Sequence, residues 1–131
     1  MIKIALLSSP LCDYGKKIIN FSLKNIDKKI YKLNDLIGSN GTLVMFICNH
    51  CPYVKAIITK LVTTTKELKK IGINSIAIMP NDFLKFPEDN FENMCIFSKK
   101  HKFNFPYLID ESQKVAKDFG AVCTPDFFGY N

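Results

Sequence analysis

Two cysteines stand three residues apart, with a histidine between them, in the segment MFICNHCPYV at residues 45–54. Side chains at this spacing on a helix lie about 5–6 Å apart, so Cys48 and Cys51 can form and break a disulfide with little backbone movement. Thiols in Cys-x-x-Cys motifs at helix N-termini have pKa values of about 3.5–7.5, against about 8.5 for a free cysteine. The pattern therefore predicts reversible thiol–disulfide chemistry.

The two cysteines are expected to play different parts. We expect the following helix to begin around Cys48, which would give that residue the freer backbone amides and the greater exposure. This makes Cys48 the attacking nucleophile and Cys51 the resolving thiol. His50, when protonated, would place positive charge beside the thiolate and favour the reduced form. The alternatives are an incidental histidine and a pair of inert, buried cysteines.

A structural zinc site is the metal alternative for Cys48, His50 and Cys51. Such sites use four ligands, which usually come from two cysteine pairs or from a cysteine pair and a histidine pair. The chain has no second Cys-x-x-Cys and no histidine pair. We therefore expect no metal and no cofactor other than the redox-active disulfide.

Composition narrows the class of protein. The 131 residues predict one domain, 1–131, and the net charge of +6 comes from 18 scattered lysines without any arginine. Because arginine makes the bidentate contacts to bases and phosphates, we expect no nucleic-acid partner. No apolar stretch approaches the roughly 20 residues of a membrane span, so we expect no membrane partner either.

The location is predicted from the first residues, and the cysteines are interpreted accordingly. Five cysteines cannot all pair within one chain, and in a cytosolic chain of this size one tight Cys-x-x-Cys indicates a catalytic or metal-binding protein rather than one held together by disulfides. The apolar core at residues 4–7 is shorter than the roughly 7–15 residues of a secretion signal. We therefore expect a cytoplasmic protein.

The elements around the motif alternate between strands and helices. Residues 18–33 alternate apolar and polar side chains as in a β-hairpin, and residues 42–48 form an apolar run typical of a central strand. A helical period follows Pro52 and stops at Gly72. Further patterns predict a strand at 73–79, a helix to about 101, a short strand at 107–109, a helix ending at Gly120 and a final strand. This order predicts an α/β fold with a largely parallel central sheet, and Cys48 at the C-terminal end of one strand.

A family resemblance rests on four segments taken together: FICNHCPYV, MPND, FPEDNFENM and FPYLIDESQKVAKDFGAVCTPDFFGYN. In this order they resemble thioredoxin-fold redoxins, in the peroxiredoxin-like, Cys-x-x-Cys-bearing branch of the alkyl hydroperoxide reductase/thiol-specific antioxidant superfamily. The resemblance covers about residues 18–131 and leaves 1–17 as an N-terminal extension. It implies a thioredoxin-like fold whose central, mostly parallel sheet is flanked by helices and preceded by a hairpin.

The resemblance also implies a cis-proline loop that faces the disulfide and binds the extended chain of the substrate. Thr124-Pro125 is the matching dipeptide, with an ordinary trans proline as the alternative. Cys123 is either a third redox thiol or a small core residue, and Cys95 is expected in the core. Thr42 replaces the buried acid of typical thioredoxins, so proton transfer is expected to use another group, with His50 and Asp126 as the two candidates.

The implied activity is thiol–disulfide exchange with protein or small-thiol disulfides and an external thiol reductant. A thiol peroxidase that uses Cys51 is the second hypothesis. Val44 and Cys48 stand where peroxiredoxins carry proline and threonine, and their arginine is missing, which weakens this hypothesis. A non-catalytic, truncated thioredoxin-like domain is the third.

The resemblance implies one more strand and helix after the strand at Pro125, and the sequence ends before them. An uncovered strand edge invites pairing with another chain. We therefore expect a homo-oligomer joined through residues 125–131, or an N-terminal segment, residues 2–7, that fills the gap.

Overall fold

A six-stranded sheet with helices on both faces forms the centre of the computed structural model, which describes residues 19–80, 82, 84–121 and 124–130. The strands are β1 (Ser22–Asn25), β2 (Ile30–Lys32), β3 (Gly41–Phe46), β4 (Ile73–Met79), β5 (Tyr107–Ile109) and β6 (Asp126–Tyr130). The helices are α1 (Pro52–Lys70), α2 (Phe91–Lys100) and α3 (Lys114–Phe119). Short 3₁₀ turns cover Leu33–Asp35 and Pro87–Asp89.

The strand order is β2-β1-β5-β4-β3-β6, and the sheet is mixed. Only β3–β4 and β4–β5 are parallel, because these strands are joined by the crossover helices α1 and α2. The pairs β1–β2, β1–β5 and β3–β6 are antiparallel. The α/β, thioredoxin-like class is confirmed, whereas the expectation of a mostly parallel sheet is wrong.

Local sequence signals end the helices near the predicted positions. Gly72, just after α1, has a φ of 83°, a backbone conformation that glycine adopts without steric strain. Gly120 closes α3 in the same way, with a φ of 78°. At the start of α2, the Asn90 side chain accepts a hydrogen bond from the Asn93 amide at 2.8 Å. These caps explain why these three helix boundaries could be predicted from the sequence.

Two apolar clusters cover the two faces of the sheet, as the alternation of side chains along a strand requires. Met45 and Ile47 belong to the cluster that α1 and α2 cover, and Val44 and Phe46 belong to the cluster that α3 covers. Successive residues of β3 therefore serve opposite faces. This burial on both faces confirms that the central apolar run is an interior strand.

Several predictions fall outside the described residues: the N-terminal extension 1–17, the covering segment 2–7 and Cys123. In the part of the chain that is described, β6 forms one edge of the sheet. Its pairing with a second copy stays a prediction. No helix among these residues combines the length and apolar character needed to cross a bilayer.

Candidate redox site

The cysteine motif fills the turn between β3 and α1. One residue beyond the end of β3, the Ile47 amide still donates a hydrogen bond to the Ile78 carbonyl at 3.0 Å, so the chain continues alongside β4 up to the motif. Helix α1 begins at Pro52, and Cys51 is its N-cap with extended backbone angles. The expectation that the helix begins around Cys48 is therefore wrong. Proline at the first helical position, where no amide hydrogen is needed, sets the start of the helix at Pro52.

Cys48 and Cys51 form a disulfide with a Cα–Cα distance of 5.8 Å. Cys48 is 0% exposed and belongs to the apolar cluster beneath α1, whereas Cys51 is half-buried and packs against that cluster. The expectation that Cys48 is the more exposed thiol is wrong. Cys48 follows the strand into the interior, while Cys51 lies at the helix end where the chain reaches the surface.

Thr124 joins the site from the far end of the chain. Its hydroxyl oxygen Oγ1 lies 2.9 Å from Cys51 Sγ and 3.4 Å from Cys48 Sγ. The Thr124–Pro125 peptide bond is cis, as the family resemblance implied. Antiparallel pairing of β6 with β3 sets Asp126 opposite Phe46 and so brings this loop to the disulfide. Binding of a substrate by Thr124 and Pro125 stays a prediction.

A buried carboxylate holds the residues between the two cysteines. Asp89, 0% exposed, accepts hydrogen bonds from the Asn49 amide at 2.7 Å and the His50 amide at 3.3 Å. Its other oxygen contacts His50 Nδ1 at 2.5 Å. Asp89 was not among the site residues predicted from the sequence. The sequence indicated only that another group must replace the buried acid of typical thioredoxins. It did not indicate Asp89, because no local pattern links residue 89 to residue 50.

A second set of contacts fixes Asn49. The Tyr107 hydroxyl donates to Asn49 Oδ1 at 2.8 Å, and Asn49 Nδ2 donates to the Glu88 carbonyl at 3.0 Å. Burial, with the nearby negative charge of Asp89, raises the pKa of Tyr107 well above its ordinary 10.0, so its hydroxyl stays a donor. Strand β5 and the turn Pro87–Asp89 thus hold the motif in one conformation.

His50 lies between the carboxylate and the sulfurs. Its ring stacks on Phe86, with centroids 4.9 Å apart and an interplanar angle of 11°. A ring nitrogen of His50 and both sulfurs lie within 4.8 Å of one another. In the described part of the chain these three are the only donors grouped in this way, and the two sulfurs are joined in the disulfide. The arrangement fits redox chemistry better than the structural zinc site considered above.

The two remaining candidates are Asp126 and Cys95. Asp126 is buried, and its Oδ1 accepts from the Phe127 amide at 3.1 Å. Cys95 is a free thiol that donates to the Ile26 carbonyl at 3.6 Å. It is half-buried, so the expectation of a core residue is wrong: the apolar face of α2 buries Met94 and Phe97 instead.

Solved structures share this fold. A conserved protein from Geobacillus kaustophilus is 37% identical, with a TM-score of 0.92, and the match covers 99% of this chain and 69% of that chain. A protein from Sinorhizobium meliloti is 36% identical, with a TM-score of 0.89, and the match covers 94% of this chain and 67% of that chain. This chain therefore corresponds to about two thirds of those proteins.

A more distant structure carries a functional description. A secreted disulfide oxidoreductase of Mycobacterium tuberculosis, described as homologous to E. coli DsbE, is 17% identical with a TM-score of 0.71. That match covers 85% of this chain and 75% of that chain, and at this identity it shows the fold alone. No curated protein sequence matches the chain.

The sequence model of the AhpC/TSA family matches residues 14–130, which include the cysteine motif, Asp89 and the cis-proline loop. The family model thus matches nearly all of the chain, including all the residues of the sheet and its helices. The chain therefore belongs to the AhpC/TSA family.

Proposed function

We propose that this protein is a thiol–disulfide oxidoreductase that exchanges electrons with disulfides of proteins or small thiols through Cys48 and Cys51. The observation that carries the proposal is the disulfide at the start of α1, with the Thr124 hydroxyl in contact with both sulfurs. A helix N-terminus and a hydroxyl donor both stabilise a thiolate, which is the reactive form of a thiol. Thr124 and Pro125 would hold the extended chain of the substrate beside the disulfide.

The exposure of the two sulfurs favours an order of events that reverses the expectation from the sequence. An attacking sulfur must reach the substrate, and Cys51 is half-buried whereas Cys48 is fully buried. Cys51 also lies at the N-cap of α1, where the partial positive charge of the helix is strongest. We therefore assign the attack to Cys51 and the resolving step to Cys48.

In the reduced protein, the Cys51 thiolate attacks a substrate disulfide. A bond forms between Cys51 Sγ and one substrate sulfur, and the other substrate sulfur leaves and is protonated. Cys48 then loses its proton and attacks Cys51 Sγ, which restores the Cys48–Cys51 disulfide and releases the second substrate thiol. Two thiols of an external reductant reverse these steps. We place the reaction in the cytoplasm, where the free thiol of Cys95 would stay reduced.

Single-cysteine variants test this order. Cys48→Ser should accumulate mixed disulfides on Cys51 when incubated with an oxidised protein substrate, because the resolving thiol is gone. Cys51→Ser should accumulate far fewer, and Cys95→Ser, which alters a thiol away from the disulfide, should turn over like the parent. Mass spectrometry of the trapped peptide identifies the cysteine. Trapping on Cys48 in the Cys51→Ser variant would restore the order expected from the sequence.

A thiol peroxidase that uses Cys51 is the second candidate, and the same exposure of Cys51 favours it. The transition state of peroxide reduction needs stabilisation of the departing oxygen, and the chain has no arginine to supply it. Disulfide turnover should therefore exceed peroxide turnover under the same reductant. Rapid formation of a sulfenic acid on Cys51 with micromolar peroxide would favour the peroxidase. The absence of both activities would favour the non-catalytic domain.

A further inference from the structure

We propose that His50 and Asp89 transfer the proton in this exchange, with His50 as the group that accepts and returns it and Asp89 as the residue that positions His50. The inference rests on the proposed function and assigns the group that replaces the buried acid of typical thioredoxins. It also chooses between the two candidates that the sequence left open, His50 and Asp126.

His50 lies close enough to both sulfurs to exchange a proton with them. A ring nitrogen of His50 and both sulfurs lie within 4.8 Å of one another, close enough for proton transfer after a small rotation or through one water molecule. Nδ1 is occupied by Asp89, which leaves Nε2 as the nitrogen available to a thiol. A nucleophile, a base and a carboxylate that orients the base form the arrangement that activates nucleophiles in many enzymes.

Asp89 is itself held in a fixed position and so can orient His50. A carboxylate that is 0% exposed must be satisfied by donors, and it takes the Asn49 amide, the His50 amide and His50 Nδ1. The Phe86 ring, stacked at 4.9 Å, holds the plane of the imidazole. Asp89 therefore fixes both the backbone and the ring of His50, which a carboxylate that only capped a helix would not do.

Among the described residues, the other buried carboxylates near this end of the sheet do not group with both sulfurs. Asp126 accepts from its neighbour Phe127, and Asp110 accepts from the Ala116 amide at 2.9 Å at the start of α3. Asp110 follows β5, which is separated from β3 by β4, a lateral distance of about 10 Å. His50 is thus the one histidine or acidic side chain, among the described residues, that groups with both sulfurs.

The proton balance of the two steps is closed. Neutral His50 takes the proton of the Cys51 thiol, and the imidazolium gives it to the substrate sulfur that leaves. His50 then takes the proton of the Cys48 thiol while Cys48 attacks Cys51 Sγ, and gives it to the second substrate sulfur. The net reaction converts two protein thiols and one substrate disulfide into one protein disulfide and two substrate thiols, and His50 is regenerated.

The pH dependence of the reaction is the readout that a structural role would not change. Among the described residues, the ionisable groups that contact His50 or lie beside its turn are the two cysteines of that turn, Asp89 from the turn Pro87–Asp89, and Tyr107 of β5 beyond Asn49. Without the imidazole no side chain is placed to take the proton from the thiols, so His50→Gln should change the pH dependence of the wild-type rate. We expect disulfide turnover to slow by about 100-fold, the lower end of general acid–base contributions.

Asp89→Asn tests the positioning role. An asparagine amide that donates to Nδ1 would leave the proton on Nε2, so the histidine could no longer accept one. We expect a slowing of about 10- to 100-fold, the same change in pH dependence, and no further loss in the double variant with His50→Gln. Glu92→Gln, which removes an exposed carboxylate nearby in the first turn of α2, is the matched control and should keep the wild-type profile.

Two readouts separate this inference from the proposed function. The rate of Cys51 alkylation in the reduced protein, measured against pH, can be determined without any turnover. Added imidazole should restore this alkylation rate in His50→Ala but not in Asp89→Asn. Folding of each variant is checked by circular dichroism, and His50→Gln, at a partly exposed side chain, serves if Asp89→Asn does not fold. Altered alkylation without any wild-type disulfide turnover would overturn the proposed function and keep the proton-transfer role. Turnover and alkylation profiles that are unchanged in His50→Gln would overturn the inference alone.

Discussion

Replacement of Thr124 by valine should make the disulfide harder to reduce. The substitution removes one hydroxyl and keeps the shape of the side chain beside Pro125. In the wild type, Oγ1 lies 2.9 Å from Cys51 Sγ and 3.4 Å from Cys48 Sγ, so the hydroxyl can donate to whichever sulfur becomes the thiolate. The reduced form loses this hydrogen bond in the variant, whereas the uncharged disulfide loses less.

The size of the effect follows from the charge on the acceptor. Hydrogen bonds to charged groups contribute about 1.5–3 kcal/mol, and the lower end suits sulfur, which is a weak acceptor. A loss of about 1.5 kcal/mol changes the equilibrium about tenfold, or about 30 mV for a two-electron couple. Thr124→Val should therefore have a reduction potential about 30 mV more negative than the wild type.

The assay is equilibration of the protein with glutathione buffers, followed by alkylation and separation of the oxidised and reduced forms. The matched control is Thr63→Val on α1, whose hydroxyl donates to the Thr59 carbonyl at 3.1 Å on an exposed helix surface. A folded Thr124→Val protein with the potential of the wild type, or a more positive one, would refute the role given to this hydroxyl.

Three further predictions concern stability, each measured by urea unfolding. Phe46→Ala should destabilise the protein by about 3–5 kcal/mol, since Phe46 is fully buried with ring centroids 5.4 Å from Phe119 and 5.8 Å from Phe128, whereas exposed Ile96→Ala should change stability by under about 0.5 kcal/mol. Asn90→Ala should cost about 1 kcal/mol, because it removes the acceptor for the Asn93 amide at the start of α2; an unchanged midpoint would contradict that role. Burial raises the pKa of Asp110 above 3.8, so the folded state binds this proton more tightly and wild-type stability should fall as the pH rises from 3.8 through the raised value. Asp110→Asn should lack that part of the slope, and an identical pH dependence in the variant would refute the assignment.

The elements of the fold could be predicted from the sequence because their signals are local. The apolar run before the cysteines, the helical period after Pro52 and the glycines at 72 and 120 each act within a few residues. The direction of the strands was less accessible. The hairpin pattern indicated that β1 and β2 are antiparallel to each other, but no local signal showed that β1 is antiparallel to β5 or β6 to β3, since direction depends on how the chain returns between elements.

The candidate site shows the same division. Cys48, Cys51 and His50 were visible by spacing, and Thr124 by resemblance to a family. Asp89 was not, because its contacts with residues 49 and 50 span about forty positions and depend on where the turn Pro87–Asp89 packs. The relative exposure of the two sulfurs also depended on tertiary structure: Pro52 moved the start of the helix and so reversed which cysteine reaches the surface.

The hydrogen bonds that Asp89 makes with residues 49 and 50 limit how this motif can be grafted into another protein. A designer who grafts the ten residues around Cys48 and Cys51 onto another strand–helix junction would carry over the thiols and leave behind the acceptor of two amides and of the imidazole. The grafted loop would be free to adopt other conformations, and its histidine would have no fixed orientation toward the sulfurs. A working graft would need three separate pieces of chain: the cysteine turn, the turn Pro87–Asp89, and the loop that carries Thr124.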